Sequence, residues 1–233
     1  MRIFISGSAP LSENLFHQFE ENTGFRILDR YGMTETGIIT TNPLDPLKRY
    51  PKSVGYPLPG VQVRIVSQEG QKLKGGEVGD IWIQGDNVFK GYWKMPEKTK
   101  ESFRDGWFKS GDLGYQDPQD SWRLYLVGRA REVIITGGYK VYPKEVENVL
   151  EKHEAIQEVA VIGLSDEDLG ERVTAVVVFK KEQIPPPPTT IIAFCKKHLA
   201  GYKCPKEVLV LDQLPRNAMG KIPKGVFQNI FSP

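Results

Sequence analysis

Hydrophobic and polar positions fall into three textures along the chain. Residues 2–6 form a short run dense in isoleucine and phenylalanine, which predicts a buried strand. Ser12 is placed to cap a helix over about 13–23, which Gly24 ends. Leu15, Phe16 and Phe19 are expected to face inward from that helix. Residues 25–29 predict the next strand, and the strand-helix-strand order indicates an α/β layer. From about 54 to 127 the short apolar runs 61–66, 78–84 and 124–127 alternate with glycine-rich turns. That texture predicts a small, mainly β subdomain with little helix. After Arg129 the pattern is mixed again: strands are expected near 132–136, 156–163, 172–180 and 207–212, and helices near 143–153, 189–200 and 223–231. This is a compact α+β domain over 132–233. Pro185 to Pro188 reads as a stiff surface loop within it, or as a recognition site for a proline-binding module.

The stretch from Gly128 to Glu147 carries the most local information. Val133, Ile134 and Ile135 are too few for a helix and suit a strand. Gly137 and Gly138 permit a sharp turn and a close backbone approach to a ligand. Pro143 fits the first position of a helix, with Glu145 and Glu147 near its positive end and Val146, Val149 and Leu150 on its apolar face. These residues suit a flexible joint beside a ligand-approaching loop, and equally an ordinary strand-turn-helix with an Arg-rich edge.

Composition narrows the classes. With 233 residues, 39% hydrophobic and 26% charged, the chain can bury a sizeable core in one or two domains. No apolar stretch reaches transmembrane length, and the first residues lack a signal peptide's pattern. A net charge of +2 gives no global case for a nucleic-acid partner. The charge is uneven, however. Between 196 and 225, Lys196, Lys197, Lys203, Lys206, Arg216, Lys221 and Lys224 are set against only Glu207 and Asp212. That is a solvated basic surface or a surface suited to a phosphorylated ligand. Cys195 and Cys204 do not make a disulfide framework, so a reducing, cytoplasmic setting is expected. Cys195 and His198 lack a second ligand pair, and no metal site is expected there.

Four clusters carry candidate chemistry. Gly7, Ser8, Ala9 and Pro10 follow a strand and leave backbone groups open at its carboxyl end; a plain tight turn would look the same. Tyr31, Gly32, Met33, Thr34 and Glu35 combine an aromatic face for a base, a hydroxyl for a phosphate and a hard oxygen ligand for Mg²⁺. Their bland reading is a polar loop between glycines. Asp112, between Gly111 and Leu113-Gly114, could accept bonds from both hydroxyls of a ribose or simply serve a turn. Lys221 follows Gly220 near the chain end, where lysines are usually solvated. Facing a phosphate at about 4 Å, its charge is worth about 4 kcal/mol at an effective dielectric near 20, against about 1 kcal/mol in water. It therefore matters only where something closes over the ligand.

Taken in order, these clusters resemble the adenylate-forming enzymes: acyl-CoA synthetases, luciferases and peptide-synthetase adenylation domains. The stretches 6–11, 31–36, 56–61, 88–99 and 214–221 are most similar to synthetases of the malonyl-CoA and methylmalonyl-CoA type. A peptide-synthetase reading is weaker, because no carrier-domain serine motif follows Lys221. The resemblance implies the distal part of a large AMP-binding domain over 1–128, with its β-rich subdomain at about 54–128. It implies a hinge at 129–131 and a mobile α+β C-terminal domain over 132–233, so the fold class is α/β plus α+β. It implies ATP as MgATP, Mg²⁺ and CoA, with a small carboxylic acid as the other substrate. Residue by residue, Gly7 to Pro10 would line adenine and acyl pockets, and Tyr31, with Gly32 and Met33, would border adenine. Thr34 would touch phosphate and Glu35 would help hold Mg²⁺. Asp112 would grip the ribose, with Arg129 on ribose or phosphate. Lys221 would stabilise the charge that builds during adenylation. Arg131 falls at the hinge, where the family more often has Asp or Lys. Gly137, Gly138 and Tyr139 would border the CoA channel. The family's Ser/Thr/Gly-rich phosphate loop is not found in this sequence. The chain is accordingly expected to be inactive alone and to need a complementary N-terminal half, or else to be a non-catalytic nucleotide- or partner-binding remnant.

Overall fold

A computed structural model describes residues 3–7, 11–120, 122–181, 184–218 and 220–231, the side chains of 228 and 229 excepted. The chain divides into two compact units, Met1–Ala130 and Arg131–Pro233. Among the described residues the first unit is built on one nine-stranded sheet. Its strands are β1 (Ile5–Ser6), β2 (Leu28–Met33), β3 (Gly37–Thr41), β4 (Ser53–Pro57), β5 (Gln62–Val66), β6 (Gly79–Gln84), β7 (Phe103–Arg104), β8 (Trp107–Gln116) and β9 (Leu124–Arg129). They run in the order β1-β2-β3-β4-β9-β8-β6-β5, with β7 paired to β8. Among the described residues of this unit only β1 and β2 pair in parallel, through the crossover helix α1 (Glu13–Thr23). The other pairings among its described strands are antiparallel, including those of the β-rich stretch from residue 54 onward. Ile39, Ile65, Ile81, Ile83, Phe108 and Leu124 form its core.

Local chemistry explains most boundaries. The Ser12 hydroxyl accepts from the Leu15 amide at the start of α1, and Gly24 closes the helix in the left-handed conformation. Phe16 is buried, but Leu15 is half exposed, against expectation. At 3.6 residues per turn it lies roughly 100° around the helix from Phe16, at the edge of the buried stripe. The stretch 54–127 also contains a helix that its texture does not suggest, α2 (Pro96–Ser102). It starts with proline at its first turn and buries none of its residues, so no apolar periodicity betrays it.

The second unit pairs a five-stranded sheet with three helices among the described residues. Its strands are β10 (Ile134–Thr136), β11 (Tyr139–Val141), β12 (Ile156–Asp166), β13 (Gly170–Phe179) and β14 (Glu207–Val210). Its helices are α3 (Pro143–Leu150), α4 (Pro188–Lys196) and α5 (Gly225–Phe231). Strand β13 is buried on both faces, which is why it reads as a continuous apolar run. Val173, Ala175 and Val177 pack with Val146, Leu150 and Ile191, the faces of α3 and α4. Val176 and Val178 pack with Leu214 and Phe227 on the other side. The polyproline stretch ends by supplying Pro188 as the first residue of α4. No helix among the described residues is long and apolar enough to cross a membrane.

Candidate functional site

Tyr31 stands on β2 rather than in the polar loop its flanking glycines suggest. The strand is irregular between Tyr31 and Gly32, where its register against β3 shifts. A Cβ at Gly32 would come within 2.2 Å of the Gly37 carbonyl oxygen, so the strand and the returning chain meet there without a side chain between them. The residues that follow form a tight turn, with the Thr36 amide bonded to the Met33 carbonyl. Thr34 is exposed at its tip, Glu35 is half-buried and Thr36 is buried. This places a hydroxyl and a carboxylate side by side at the end of a strand.

The fold joins that strand to a distant one. Tyr31 is buried at 6% exposure, and its hydroxyl donates to Asp112 Oδ2 at 2.5 Å across 81 residues of sequence. Arg129 Nε lies 2.8 Å from Asp112 Oδ1, and the two residues are direct partners in the β8–β9 pairing. Ser110 sets the local path: its hydroxyl donates to the Ile81 carbonyl and accepts from the Asp112 amide. Burial and the neighbouring Asp112 carboxylate push the Tyr31 phenol well above its ordinary range, so it stays a proton donor at any physiological pH. Asp112 is thus a carboxylate-oxygen acceptor held in a fixed orientation, the requirement for gripping a diol.

The loop 85–95 buttresses the 34–37 turn, a role no sequence reading assigned to it. Tyr92 donates its hydroxyl to Glu35 Oε1 at 3.0 Å, the Phe89 amide donates to the Glu35 carbonyl, and Asn87 Nδ2 donates to the Thr36 carbonyl at 2.7 Å. The resemblance of 88–99 to the family was the available signal, but it named no partner for Glu35. A single oriented carboxylate suits Mg²⁺ that arrives with a nucleotide, because Mg²⁺ is usually held by one or two carboxylates and the phosphates it accompanies. Gly7 lies beside Arg30 after β1. Ser8, Ala9 and Pro10 lie outside the described residues.

The remaining candidates belong to the second unit. Gly137 and Gly138 make the two-residue turn between β10 and β11 with φ of 54° and 81°, the left-handed pair such a hairpin requires. Tyr139 is 58% exposed and stacks on Tyr202 with ring centroids 4.7 Å apart. Arg131 is exposed in the single turn Ala130–Glu132. Lys221 is exposed on a short loop, its amide donating to Asn217 Oδ1 at 2.9 Å.

Comparison with known proteins bears on the family and the fold. Residues 1–93 match the model of the AMP-binding enzyme family, and 145–221 match that of the AMP-binding enzyme C-terminal domain. A malonate–CoA ligase of Arabidopsis thaliana is 40% identical over 96% of the chain and 38% of its own length. A long-chain-fatty-acid–CoA ligase of Bacillus subtilis is also 40% identical, over 94% of the chain and 39% of its own length. The crystal structure of ATP-bound MatB from Rhodopseudomonas palustris superposes with a TM-score of 0.94 at 44% identity, over 99% of the chain and 46% of MatB. The chain therefore spans less than half the length of the relatives it matches. It belongs to the AMP-binding, adenylate-forming enzyme family and carries that family's mixed α/β fold.

Proposed function

We propose that this chain is the nucleotide- and CoA-handling part of an AMP-forming acyl-CoA ligase. The observation that carries the reading is Asp112, an oriented carboxylate fixed by Tyr31 and Arg129 on two strands that bear the family's motifs. In the reaction, Asp112 accepts the ribose hydroxyls and Arg129 offers its remaining donors to ribose or phosphate. The buried Tyr31 positions Asp112 and, with Gly32 and Met33, would border the base; Gly7, followed in sequence by Ser8, Ala9 and Pro10, belongs to the stretch assigned to the adenine and acyl pockets. Thr34 donates to phosphate and Glu35, held by Tyr92, binds the nucleotide's Mg²⁺. Lys221 places its ammonium against the charge that builds as the carboxylate attacks the α-phosphate and pyrophosphate leaves. The acyl-adenylate then passes its acyl group to the thiol of CoA. Gly137, Gly138 and Tyr139 line the CoA path, and Arg131 is the pivot between the two half-reactions.

We take malonate as the carboxylate to test first, and a long-chain fatty acid second, since ligases named for each are equally identical to the chain. A complementary polypeptide would supply what the matched relatives carry beyond this chain. The buried free cysteines suit a reducing setting such as the cytoplasm. The test has two arms. Calorimetric titration of the chain with AMP, MgATP and CoA reads binding. A hybrid, with the chain replacing the matched segment of MatB, is assayed for malonate-dependent ATP–pyrophosphate exchange and for malonyl-CoA. Exchange and thioester formation support the ligase. Nucleotide binding with no turnover in the hybrid would favour the second reading, a nucleotide-binding remnant.

A further inference from the structure

The loop that presents Lys221 is tied down at both ends and at its tip. Leu214 and Phe227 are buried in one apolar cluster with Ile162, Val176 and Val178, so the loop leaves and re-enters the same core. At the tip, the Asn217 amide donates to the Lys221 carbonyl and the Gly220 amide donates to the Asn217 carbonyl. Arg216 donates to the Gly220 carbonyl at 2.8 Å and pairs with Glu158.

The returning leg has an anchor of a different kind. Lys224, three residues after Lys221, donates to Glu147 Oε1 at 2.6 Å, and its ammonium lies 3.8 Å from Glu132 Oε2. Glu147 is a buried carboxylate on α3 whose Oε1 also accepts the Val161 amide of β12. Its other near cation, Lys144, stands 3.9 Å away and is engaged more closely by Glu151. Lys224 is therefore the principal charge partner of a carboxylate that is costly to leave unpaired, and it fixes the backbone three residues from Lys221. Glu132 adjoins Arg131, so the same ammonium links the loop to the turn that opens the second unit.

We propose that Lys224 is a positioning residue for Lys221, holding the loop so that the Lys221 ammonium is delivered in one geometry. This rests on the ligase reading above for its catalytic consequence, though not for its structural one. Lys224 is a solvated surface lysine in the sequence pattern; only its seat between α3 and the 130–132 turn distinguishes it.

Amide hydrogen exchange on the full chain tests the structural part without any ligand. In Lys224→Met the Gly220 and Lys221 amides should exchange about tenfold faster, while the Val176 amide in β13 stays protected. Lys224→Arg should restore wild-type exchange at both. In the MatB hybrid, Lys224→Met should slow adenylation by about ten- to hundredfold, the range expected of a misplacement near 1 Å, and barely change thioester formation from supplied acyl-adenylate. Unchanged exchange at Gly220 and Lys221 would overturn the proposal. So would equal loss of protection at Val176, equal slowing of both half-reactions, or full adenylation activity in Lys224→Met. An inactive wild-type hybrid would sink the ligase reading instead, leaving the exchange result to decide whether Lys224 holds Lys221.

Discussion

Asp112 and Lys221 are held by opposite means. Asp112 sits in the middle of a sheet, 7% exposed, with each carboxylate oxygen already engaged by a residue from another strand. Lys221 sits exposed on a loop whose geometry comes from backbone bonds to Asn217 and from Lys224 on a buried glutamate. A group that must grip the same ligand atoms throughout a reaction gains from being fixed by strand register. A group needed for one step gains from a loop that can leave. The difference predicts that changes around Asp112 alter binding and stability together, whereas changes at Lys221 alter rate alone.

The largest effect should follow Lys221→Ala. Loss of one charge-stabilising donor costs about 10²–10³ in rate, so adenylation by the hybrid should fall by that factor while AMP affinity and the melting temperature of the chain stay put. A fall in melting temperature would erase the contrast with Asp112. Next comes Tyr31→Phe. A hydrogen bond to a charged group is worth about 1.5–3 kcal/mol, and its loss should lower both stability and AMP affinity, measured by denaturant melts and calorimetry. Gly138→Ala should act mainly on the second half-reaction. Its φ of 81° costs a side chain about 1–2 kcal/mol, so thioester formation should slow while ATP–pyrophosphate exchange persists. Equal loss in both steps would count against a CoA-specific role.

A pH dependence should also centre on Asp29, beside the Tyr31 strand motif. Burial raises its carboxyl to about 7, against the opposing pull of the Arg30 amide and guanidinium and of Ser6. A folded-state value above the unfolded one means the native chain holds the extra proton between pH 4 and 7. Its contribution is therefore full below about pH 4 and is lost as pH rises toward about 7. Asp29→Asn should flatten that slope in urea melts taken from pH 5 to 8, and an unchanged slope would assign it elsewhere.

Much of this was legible in the sequence. The strand-helix-strand opening, the β-rich middle and the α+β end follow from apolar periodicity. Gly137 and Gly138 announce a turn, and Ser12 and Gly24 bracket a helix that forms between them. What the sequence hides is pairing. Tyr31 and Asp112 meet only because the sheet brings two strands together that are not hydrogen-bonded neighbours, and no spacing rule relates positions 81 residues apart. The roles of Tyr92 and Lys224 are hidden for the same reason, since each comes from a carboxylate far along the chain. Leu15 and α2 mark the other limit: an apolar residue at the edge of a stripe, and a helix with no stripe at all.

The central claim is that Asp112 is the nucleotide's grip. Calorimetric titration of AMP into the chain and into Asp112→Asn tests it most directly, because the amide preserves shape while removing the charge that accepts the ribose hydroxyls. The account predicts saturable binding by the wild type and a loss of about tenfold or more in the variant, the worth of one charged hydrogen bond. Equal affinity of the two for AMP would contradict it.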